Sequence, residues 1–261
     1  MKTIYFSKYQ GTGNDFVMLN NIYGEYDFIS VDHVQRICNR RFGIGGDGLI
    51  RINRSSVNAF EVDYFNSDGS KSFCGNGARC SLAFSESIGI NIQEVEFSAI
   101  DGVHRGGKDG DRYWVEMLPV KNIAKDNQNY ILHTGSPHYV HFCEDVRKED
   151  VVSFGKQIRY SERYKAEGIN VNISQVTGNG LKIRTYERGV EDETLSCGTG
   201  ATACALAYAV KENMNGHQSI DVDVEGGKLK VSFTGSSSEG FNNIRLIGPA
   251  QLVFEGEFYL D

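Results

Sequence analysis

The sequence lacks the features that define membrane proteins and nucleic-acid-binding proteins. No uninterrupted apolar stretch approaches membrane-spanning length, and the first eight residues do not lead into an apolar core with a small-residue cleavage site. Lys and Arg number 27 against 34 Asp and Glu, and the net charge of −7 argues against a broad nucleic-acid surface. We therefore expect a cytoplasmic protein with neither a membrane nor a nucleic acid as its partner.

The cysteines lack the spacings of a metal site. The six lie at positions 38, 74, 80, 143, 197 and 204, with no C-x-x-C and no His/Cys cluster of zinc spacing. We expect no metal, and in a reducing compartment most thiols of this kind are small, buried, apolar residues. A functional role must therefore be argued for each cysteine separately.

Proline is scarce, whereas glycine is abundant. The chain has 3 Pro and 30 Gly, and several glycines fall in short runs such as residues 43–48. Runs of this kind indicate turns that need positive φ, or backbone that lies close to another group. With 40% hydrophobic and 23% charged residues, the 261-residue chain can bury the core of one large domain or of two ordinary ones.

Three short motifs recur at a nearly constant distance along the chain. Residues 13–17 resemble 135–140, and residues 45–50 resemble 168–173. The closest match is between C-G-N-G-A, beginning at Cys74, and C-G-T-G-A, beginning at Cys197. The offsets are 122, 123 and 123 residues, whereas chance recurrence of Gly-rich turns predicts scattered offsets. We interpret the chain as a duplication.

Alternating and β-branched runs predict a β-rich chain. The predicted strands are 2–9, 16–20, 48–53, 60–66, 95–99 and 113–118 in the first half, and 130–134, 138–142, 170–175, 181–187, 220–224 and 228–233 in the second. The predicted helices are 75–86 and 198–212, after the two cysteine motifs, and the shorter 32–40 and 149–158. We predict an α+β fold of two similar β-rich domains, each wrapped on a central helix, with a boundary near Leu118-Pro119.

The two repeated cysteines are the candidate reactive groups. Each lies at the predicted start of a helix, where uncovered N–H groups and the helix dipole favour an anion such as a thiolate or a carboxylate. If the halves face each other, Cys74 and Cys197 place one sulfur on each side of a substrate carbon. Such a pair suits stereochemical inversion, because one sulfur removes the α-proton and the other returns a proton to the opposite face.

Without a cofactor, the charge that develops on an amino-acid α-carbon must pass to its carboxylate. The N–H groups of Gly75, Asn76, Gly198 and Thr199 are suited to receive that charge, as in an oxyanion hole. The alternative for Cys74 and Cys197, two merely buried cysteines, does not explain why both occupy the same repeat position. The other four cysteines have no matched sulfur or activating context, and we interpret them as structural.

Several motifs together resemble one family along essentially the whole chain. They are G-T-G-N-D-F from Gly11, N-S-D-G from Asn66, F-C-G-N-G-A-R-C from Phe73, G-S-P-H from Gly135, E-R-G from Glu187, C-G-T-G-A from Cys197 and G-P-A from Gly248. The chain thus resembles the diaminopimelate epimerases. The resemblance implies interconversion of LL- and meso-diaminopimelate, in lysine and peptidoglycan precursor biosynthesis, without a cofactor or a metal, by a homodimer.

The resemblance also assigns roles to residues. It implies that Cys74 and Cys197 are the acid–base pair and that Gly75, Asn76, Gly198 and Thr199 hold the reacting α-carboxylate. It implies that Asn14, Asn66, Asn170, Glu187 and Arg188 recognise the substrate, and that His138 and Glu187 modulate the thiol pKa values. It further implies that the last strand, 252–260, packs on the first domain, so that the domains are 1–118 with 252–261, and 119–251.

Chemistry supports these substrate roles but leaves alternatives open. Arg188 can bind a distal carboxylate bidentately and Glu187 can accept from an ammonium group, although the two could equally form a solvated pair. Asn66 and Asn170 could be ordinary turn residues, and His138 could be a satisfied structural histidine.

Three features depart from the family pattern. Ser136 stands where family members usually carry Asn, Gly48 stands where some carry Gln, and residues 190–194 lengthen the segment before the second cysteine. Two other functions remain open, namely a proline/hydroxyproline-type racemase of the same fold and a non-catalytic amino-acid binding module.

Overall fold

The computed structural model describes residues 2–178 and 180–260. Its strands are β1 (Lys2–Gly11), β2 (Asn14–Asn21), β3 (Gly48–Asn53), β4 (Glu61–Asn66), β5 (Glu94–Ala99), β6 (Gly102–Asp109), β7 (Arg112–Met117), β8 (Ile123–Asp126), β9 (Asn129–His133), β10 (Pro137–Cys143), β11 (Asn170–Thr177), β12 (Gly180–Glu187), β13 (Asp192–Thr194), β14 (Gly216–Val224), β15 (Gly227–Ser236), β16 (Gly240–Gly248) and β17 (Gln251–Leu260). Its helices are α1 (Val31–Cys38), α2 (Gly75–Ser87), α3 (Val151–Arg159) and α4 (Gly198–Lys211), with a short 3₁₀ helix at Val146–Lys148.

The chain divides into two units, residues 1–115 with 248–261 and residues 116–247. The halves expected from the sequence, 1–118 with 252–261 and 119–251, stay a prediction about the limits of the duplicated segments. Met1 and Asp261, which fall within the first of those halves, lie outside the described residues.

The first unit is a sheet in the order β17-β1-β2-β3-β4-β5-β6-β7. The pairs β2–β3 and β4–β5 are parallel, and the other neighbours are antiparallel. Helix α1 connects the first parallel pair and α2 the second. Strand β17 returns from the end of the chain to pair with β1 from Lys2 to Gln10.

The second unit repeats this arrangement. Its order is β8-β9-β10-β11-β12-β14-β15-β16, and its parallel pairs are β10–β11, connected by α3, and β12–β14, connected through α4. The register repeats as well, because Phe16 lies opposite Gly48 in β2–β3 and His138 lies opposite Asn170 in β10–β11, each displaced by 122 residues. The predicted α+β fold of two similar β-rich domains, each with a central helix, is confirmed.

Each central helix is enclosed by the strands of its own unit. Residues Gly75–Ser85 of α2 are all buried, and its apolar side chains pack with Phe16, Ile50, Phe60 and Phe97. Helix α4 is buried from Gly200 to Ala209, where five alanines allow strands such as β15 to approach closely. Small residues with good helix propensity therefore explain both the helix and its burial. Among the described helices, none has the length and apolar character needed to cross a membrane.

Local capping explains where the two outer helices begin and end. Ser30 caps α1 by accepting from the backbone N–H of His33, and Asp150 caps α3 by accepting from Ser153. The sequence placed the end of α1 at residue 40, but Asn39 is already extended at ψ 120.

Strands β6, β8, β13 and β16 were not predicted. In β6, a Cβ on Gly107 would lie 2.3 Å from the Gln93 carbonyl oxygen, so close packing rather than side-chain alternation defines this strand.

Candidate active site

Cys74 is the N-cap residue of α2. Its backbone is extended, with φ −134 and ψ 119, and its sulfur accepts from the backbone N–H of Gly77 at 3.5 Å. The same sulfur lies 3.5 Å from Asn14 Oδ1, to which the thiol form can donate. Asn14 Oδ1 also accepts from Asn76 Nδ2 at 3.3 Å. The site therefore offers an acceptor to the thiol and a donor, at a helix N-terminus, to the thiolate.

Cys197 occupies the equivalent position in the second unit. It is the N-cap residue of α4, with φ −117 and ψ 109, and its side chain is 6% exposed. Its sulfur lies 3.4 Å from Thr199 Oγ1, and it makes no cap hydrogen bond to the helix backbone. The two cysteines thus share a backbone position but differ in their polar neighbours.

The second glycine of each cysteine motif is required by packing. A Cβ on Gly77 would lie 3.2 Å from Ile50 Cδ1, and a Cβ on Gly200 would lie 2.5 Å from Asn172 Oδ1 and 3.3 Å from Cys197 Sγ. The glycines therefore let each helix start approach a strand of its own sheet. In each unit the strand residue nearest to that glycine, Ile50 or Asn172, is fully buried.

Acidic and basic side chains beside Asn14 balance each other. Asn14 Nδ2 donates to Asp47, and Asp47 is paired with Arg40 at 2.8 Å. Asp15 is paired with Lys8 at 2.8 Å and with Arg40 at 2.6 Å. Burial alone would raise the pKa of Asp15, but hydrogen bonds from Arg40 and Lys8 lower it to about 2. Two carboxylates and two cations leave this network without net charge near Cys74.

Arg79, one turn into α2, is a fully buried arginine. Its Nη2 donates to Asn76 Oδ1 at 2.9 Å and to Thr12 Oγ1 at 3.4 Å, and its Nη1 donates to the Gly75 carbonyl oxygen at 3.5 Å. In the part of the chain that the structure describes, no carboxylate lies within ion-pair distance of this guanidinium. Burial lowers the pKa of Arg79, but arginine keeps its charge in proteins. A positive charge therefore remains behind Asn76 without a nearby anion.

His138 is fully buried beneath the start of α4. Its Nε2 lies 2.9 Å from Thr199 Oγ1 and its Nδ1 lies 3.1 Å from Asn172 Nδ2. Burial, together with the electrostatic effects of His133 and Arg188, lowers the pKa of His138 to about 3. The neutral imidazole of His138 is therefore connected to the Cys197 sulfur through the Thr199 hydroxyl.

A neutral, buried histidine predicts that the protein loses stability in acid. Because the folded-state pKa lies below the unfolded value of about 6.5, the contribution of His138 is complete above that pH and is lost as the pH falls toward 3. We expect His138→Gln to reduce the pH dependence of the free energy of unfolding by up to about 1.4 kcal/mol per pH unit below pH 6. Urea unfolding at several pH values between 7 and 4 measures this slope, and parallel slopes for the two proteins would contradict the assignment.

Two candidate recognition residues of the second unit, Asn170 and Arg188, lie together beside Ser136. Asn170 Nδ2 donates to Ser136 Oγ at 2.8 Å, and Asn170 Oδ1 accepts from the backbone N–H of Arg188 at 2.8 Å. The Arg188 guanidinium donates to the Glu167 carbonyl oxygen at 2.8 Å and lies 3.5 Å from Ser136 Oγ. The side chain of Arg188 is exposed, so part of its donor capacity faces solvent. Ser136 thus contacts two members of the predicted recognition set, Asn170 and Arg188.

The loop before β10 joins this cluster to the start of α4. Thr134 Oγ1 donates to the Thr199 carbonyl oxygen at 2.8 Å, and a Cβ on Gly135 would lie 3.5 Å from Thr199 Cγ2. Gly135 has φ 102, a conformation that favours glycine. The loop therefore holds Ser136 at a fixed distance from the helix start that carries Cys197.

Asn66 is held by residues of its own turn. Its Oδ1 accepts from the Tyr64 hydroxyl at 2.8 Å, and its Nδ2 donates to Ser70 Oγ at 3.0 Å and to Ser72 Oγ at 3.2 Å. Tyr64 and Ser72 also line a small pocket beside Cys74. Asn66 is therefore linked to the pocket beside Cys74 through its hydrogen bonds to Tyr64 and Ser72.

Glu187 and Gly48 occupy the ends of strands. The Glu187 carboxylate accepts from Thr194 Oγ1 at 3.0 Å, which links it to the lengthened segment 190–194. A Cβ on Gly48 would lie 2.4 Å from the Phe65 carbonyl oxygen, so the glutamine that some relatives are expected to carry here would need a different packing of β3 on β4. Glu191 anchors the lengthened segment, since its carboxylate accepts from the hydroxyls of Tyr160 at 2.9 Å and Tyr186 at 3.0 Å.

The four other cysteines lie away from a helix N-cap. Cys38, Cys80 and Cys204 are buried, and Cys143 is half-buried. Burial raises the pKa of Cys38 and of Cys80 to about 12 and also raises that of Cys143 and of Cys204. Their thiols are therefore poorly ionised at neutral pH.

Two polar residues near the cysteines were not predicted as functional. Arg79 could have been noticed as the one basic residue of α2, and Asn172 as a polar residue at an inward position of a buried strand. Sequence alone does not show that either side chain is fully buried. Their burial and their partners follow from the tertiary structure.

Comparison with known proteins agrees along nearly the whole chain. The sequence model of the family described as diaminopimelate epimerase matches residues 6–103 and 130–253. A diaminopimelate epimerase from Flavobacterium psychrophilum is 46% identical over 253 residues, covering 95% of this chain and 97% of the relative. One from Aquifex aeolicus is 37% identical over 273 aligned positions, covering 96% of each chain.

Solved structures of other proteins share the fold. A phenazine biosynthesis protein of the PhzF family from Bacillus anthracis has a TM-score of 0.77 at 15% identity, covering 100% of each chain. A hydroxyproline epimerase from Agrobacterium vitis has a TM-score of 0.66 at 12% identity, covering 98% of this chain and 92% of the other. These likenesses are of fold alone, whereas the curated relatives confirm the family and the isomerase class predicted from the sequence. The chain belongs to the diaminopimelate epimerase family.

Proposed function

We propose that the chain interconverts LL- and meso-diaminopimelate with Cys74 and Cys197 acting on opposite faces of one α-carbon. The observation that carries this proposal is that each cysteine is the N-cap of the central buried helix of its unit. The two units repeat the same strand pairings and the same parallel crossovers, so the cysteines occupy equivalent positions. Low-pKa thiolates are favoured at such helix starts.

The reaction conserves protons and charge. A thiolate removes the α-proton, the resulting carbanion takes a proton from the thiol on the other face, and the two sulfurs exchange their protonation states. The pair titrates as a coupled system, so single pKa values do not belong to either sulfur. The reverse reaction uses the same residues with their roles exchanged.

The negative charge of the intermediate is stabilised at the two helix starts. We assign the reacting carboxylate to the N–H groups of Gly75, Asn76, Gly198 and Thr199, and each such donor is worth roughly 3–4 kcal/mol of barrier. Arg79 supports this assignment, because its uncompensated charge lies behind Asn76 and contacts the Gly75 carbonyl and the Asn76 side chain. No cofactor is needed in this scheme.

The distal amino-acid centre is assigned to Arg188, Asn170 and Glu187, with Asn14 and Asn66 as further recognition residues. The hydrogen bonds that join Asn170, Ser136 and Arg188 support this assignment. Asn14 contacts Cys74 directly and therefore lies beside the reacting centre. Ser136 carries a hydroxyl where family members usually carry the longer amide of Asn. The shorter side chain leaves room for Asn170 and Arg188 to contact the same group of the substrate.

The cellular setting follows from the proposed substrate. We assign the protein to the cytoplasm, where lysine and peptidoglycan precursors are made. We also propose a homodimer. Exposed apolar side chains on β17, including Leu252, Val253 and Phe254, provide a surface that a second copy could cover.

Exchange of the substrate α-hydrogen with solvent tests the proposed function. In deuterated water, we expect LL-diaminopimelate to give meso product that carries one deuterium at the inverted carbon, and meso substrate to give the corresponding LL product. Mass spectrometry and NMR in both directions measure the incorporation. The absence of exchange with both isomers, together with exchange into proline or hydroxyproline, would favour the racemase alternative.

A further inference from the structure

A chain of buried polar groups leads from strand β11 to the Cys197 sulfur within the second unit. Asn172 Nδ2 contacts the Tyr139 carbonyl oxygen at 3.0 Å and His138 Nδ1 at 3.1 Å. His138 Nε2 contacts Thr199 Oγ1 at 2.9 Å, and Thr199 Oγ1 contacts Cys197 Sγ at 3.4 Å. Asn172 and His138 are both fully buried, so water does not compete with the hydrogen bond between them, whereas Thr199 is half-buried.

The direction of each hydrogen bond follows from the groups at the far end of the chain. A backbone carbonyl only accepts, so the Asn172 atom that faces Tyr139 must be the amide nitrogen. The Asn172 Oδ1 accepts from Thr185 Oγ1 at 2.9 Å, which agrees with this orientation. The amide nitrogen therefore donates to His138 Nδ1, and a neutral imidazole that accepts at Nδ1 carries its proton on Nε2.

The tautomer of His138 in turn orients Thr199. Because Nε2–H donates to Thr199 Oγ1, the Thr199 hydroxyl proton must point elsewhere. Cys197 Sγ, at 3.4 Å, is the partner that the structure offers it. The hydroxyl therefore donates to the sulfur, which favours the thiolate form of Cys197.

The first unit has no such chain at the matching positions. The β2–β3 register places Phe16 and Ile50 where β10–β11 places His138 and Asn172. Both side chains are fully buried, and both lie within 3.5 Å of a Cβ built on Gly77. The start of α2 therefore rests on apolar groups, whereas the start of α4 rests on an oriented polar chain.

We propose that Asn172 is a positioning residue of the epimerase, which holds His138 as the Nε2–H tautomer so that the Thr199 hydroxyl donates to the Cys197 thiolate. This inference rests on the proposed function, in that the Cys197 sulfur is taken to be one of the two acid–base groups. It gives Cys197 a directed neutral donor, whereas Cys74 has the backbone N–H of Gly77 and the charge of Arg79.

The charged and titratable groups around the chain are few. Burial, together with the electrostatic effects of His133 on β9 and Arg188 after β12, keeps the pKa of His138 at about 3. On α4, burial raises the pKa of Cys204, so its thiol is neutral. At the end of β12, the Glu187 carboxylate accepts from Thr194. The imidazole is therefore neutral throughout the pH range in which a thiol titrates.

Two measurements on the unmodified protein test the proposal without turnover. Long-range ¹H–¹⁵N NMR of the imidazoles is expected to show His138 as Nε2–H between pH 6 and 9. Alkylation by iodoacetamide, with each cysteine mapped by mass spectrometry, measures how the reactivities of Cys197 and Cys74 change with pH. A His138 signal of the Nδ1–H tautomer, or of the imidazolium ion, would overturn the proposal.

Variants then test the role of Asn172 itself. We expect Asn172→Ala to slow alkylation of Cys197 at pH 7 roughly three- to tenfold while Cys74 in the same sample is unaffected. Thr185→Val is the matched control, because it removes a partner of Asn172 but leaves the Tyr139 carbonyl to orient the amide. An unchanged Cys197 rate in folded Asn172→Ala would contradict the proposal.

If Asn172→Ala does not fold, two substitutions of His138 decide the question. Glutamine can place an N–H near the position of Nε2, whereas asparagine cannot reach Thr199. We expect His138→Gln to keep most of the Cys197 reactivity and His138→Asn to lose it, and equal rates would overturn the proposal. Solvent exchange into diaminopimelate by the unmodified protein is a separate measurement, so a failure of the proposed function is distinguishable from a failure of this inference.

Discussion

Replacing Cys74 or Cys197 by serine is expected to lower kcat for diaminopimelate about 10²- to 10⁴-fold, while substrate binding is retained. A serine hydroxyl has nearly the same shape as a thiol but is far harder to ionise, so it neither removes the α-proton nor forms the required anion at neutral pH. The N–H groups at both helix starts remain in place in either variant. Steady-state rates in both directions measure kcat, and calorimetry with the substrate measures binding.

The remaining cysteines provide the control for this experiment. Cys143→Ser changes a half-buried thiol that lies at the end of β10 and not at the start of a helix, and burial raises the pKa of that thiol. We expect its rates to match those of the unmodified protein. Undiminished turnover in Cys74→Ser or Cys197→Ser would refute the two-cysteine mechanism, whereas binding without turnover by the unmodified protein would favour a non-catalytic binding module.

Replacing Arg188 by methionine is expected to lower kcat/KM for diaminopimelate about 10- to 150-fold. The guanidinium is assigned to the distal carboxylate, and hydrogen bonds to charged groups contribute roughly 1.5–3 kcal/mol. Arg188 is exposed and already donates to the Glu167 carbonyl oxygen, so the effect is smaller than that of a buried specificity residue. Arg147→Met, which removes an exposed arginine paired with Asp145 in the same unit, is the matched control.

A substrate that lacks the distal carboxylate completes this test. L-Lysine has the same chain as diaminopimelate with one carboxylate removed, so it offers Arg188 nothing to bind. We expect the unmodified protein to exchange the α-hydrogen of lysine far more slowly than that of diaminopimelate, and Arg188→Met to cause no further loss with lysine. An equal loss with both substrates would show that Arg188 acts on the fold or on the reacting centre instead.

Much of the fold followed from local patterns in the sequence. Both central helices begin at the glycines that follow the cysteines, as predicted, because a Cys-Gly-x-Gly-Ala run combines a capping position with glycines that leave the first N–H groups uncovered and an alanine of good helix propensity. Strand β3 has the predicted bounds because its apolar run ends in asparagine. By contrast, β6 and β16 were missed, since their glycines and polar residues form strands only when other strands supply the hydrogen bonds.

The candidate site likewise contains residues that the sequence identified and residues that it did not. Cys74, Cys197 and the residues after them were recognisable because their chemistry depends on a local feature, the start of a helix. Asn66 was recognisable as a candidate, but its partners Tyr64, Ser70 and Ser72 depend on how one turn folds back on β4. The buried partners Arg79 and Asn172 were not recognised, because a polar residue in a helix or strand can face either solvent or the core.

The sequence by itself determined the duplication, the family and the two cysteines at equivalent helix starts. These depend on spacing along the chain and on the short-range geometry of a few residues. Only the tertiary structure decided that the two helix starts differ in their support, with an uncompensated Arg79 behind one and the Asn172–His138–Thr199 chain beneath the other. The physical reason is that burial and hydrogen-bond direction arise from residues far apart in the chain, which come together only when the strands pair.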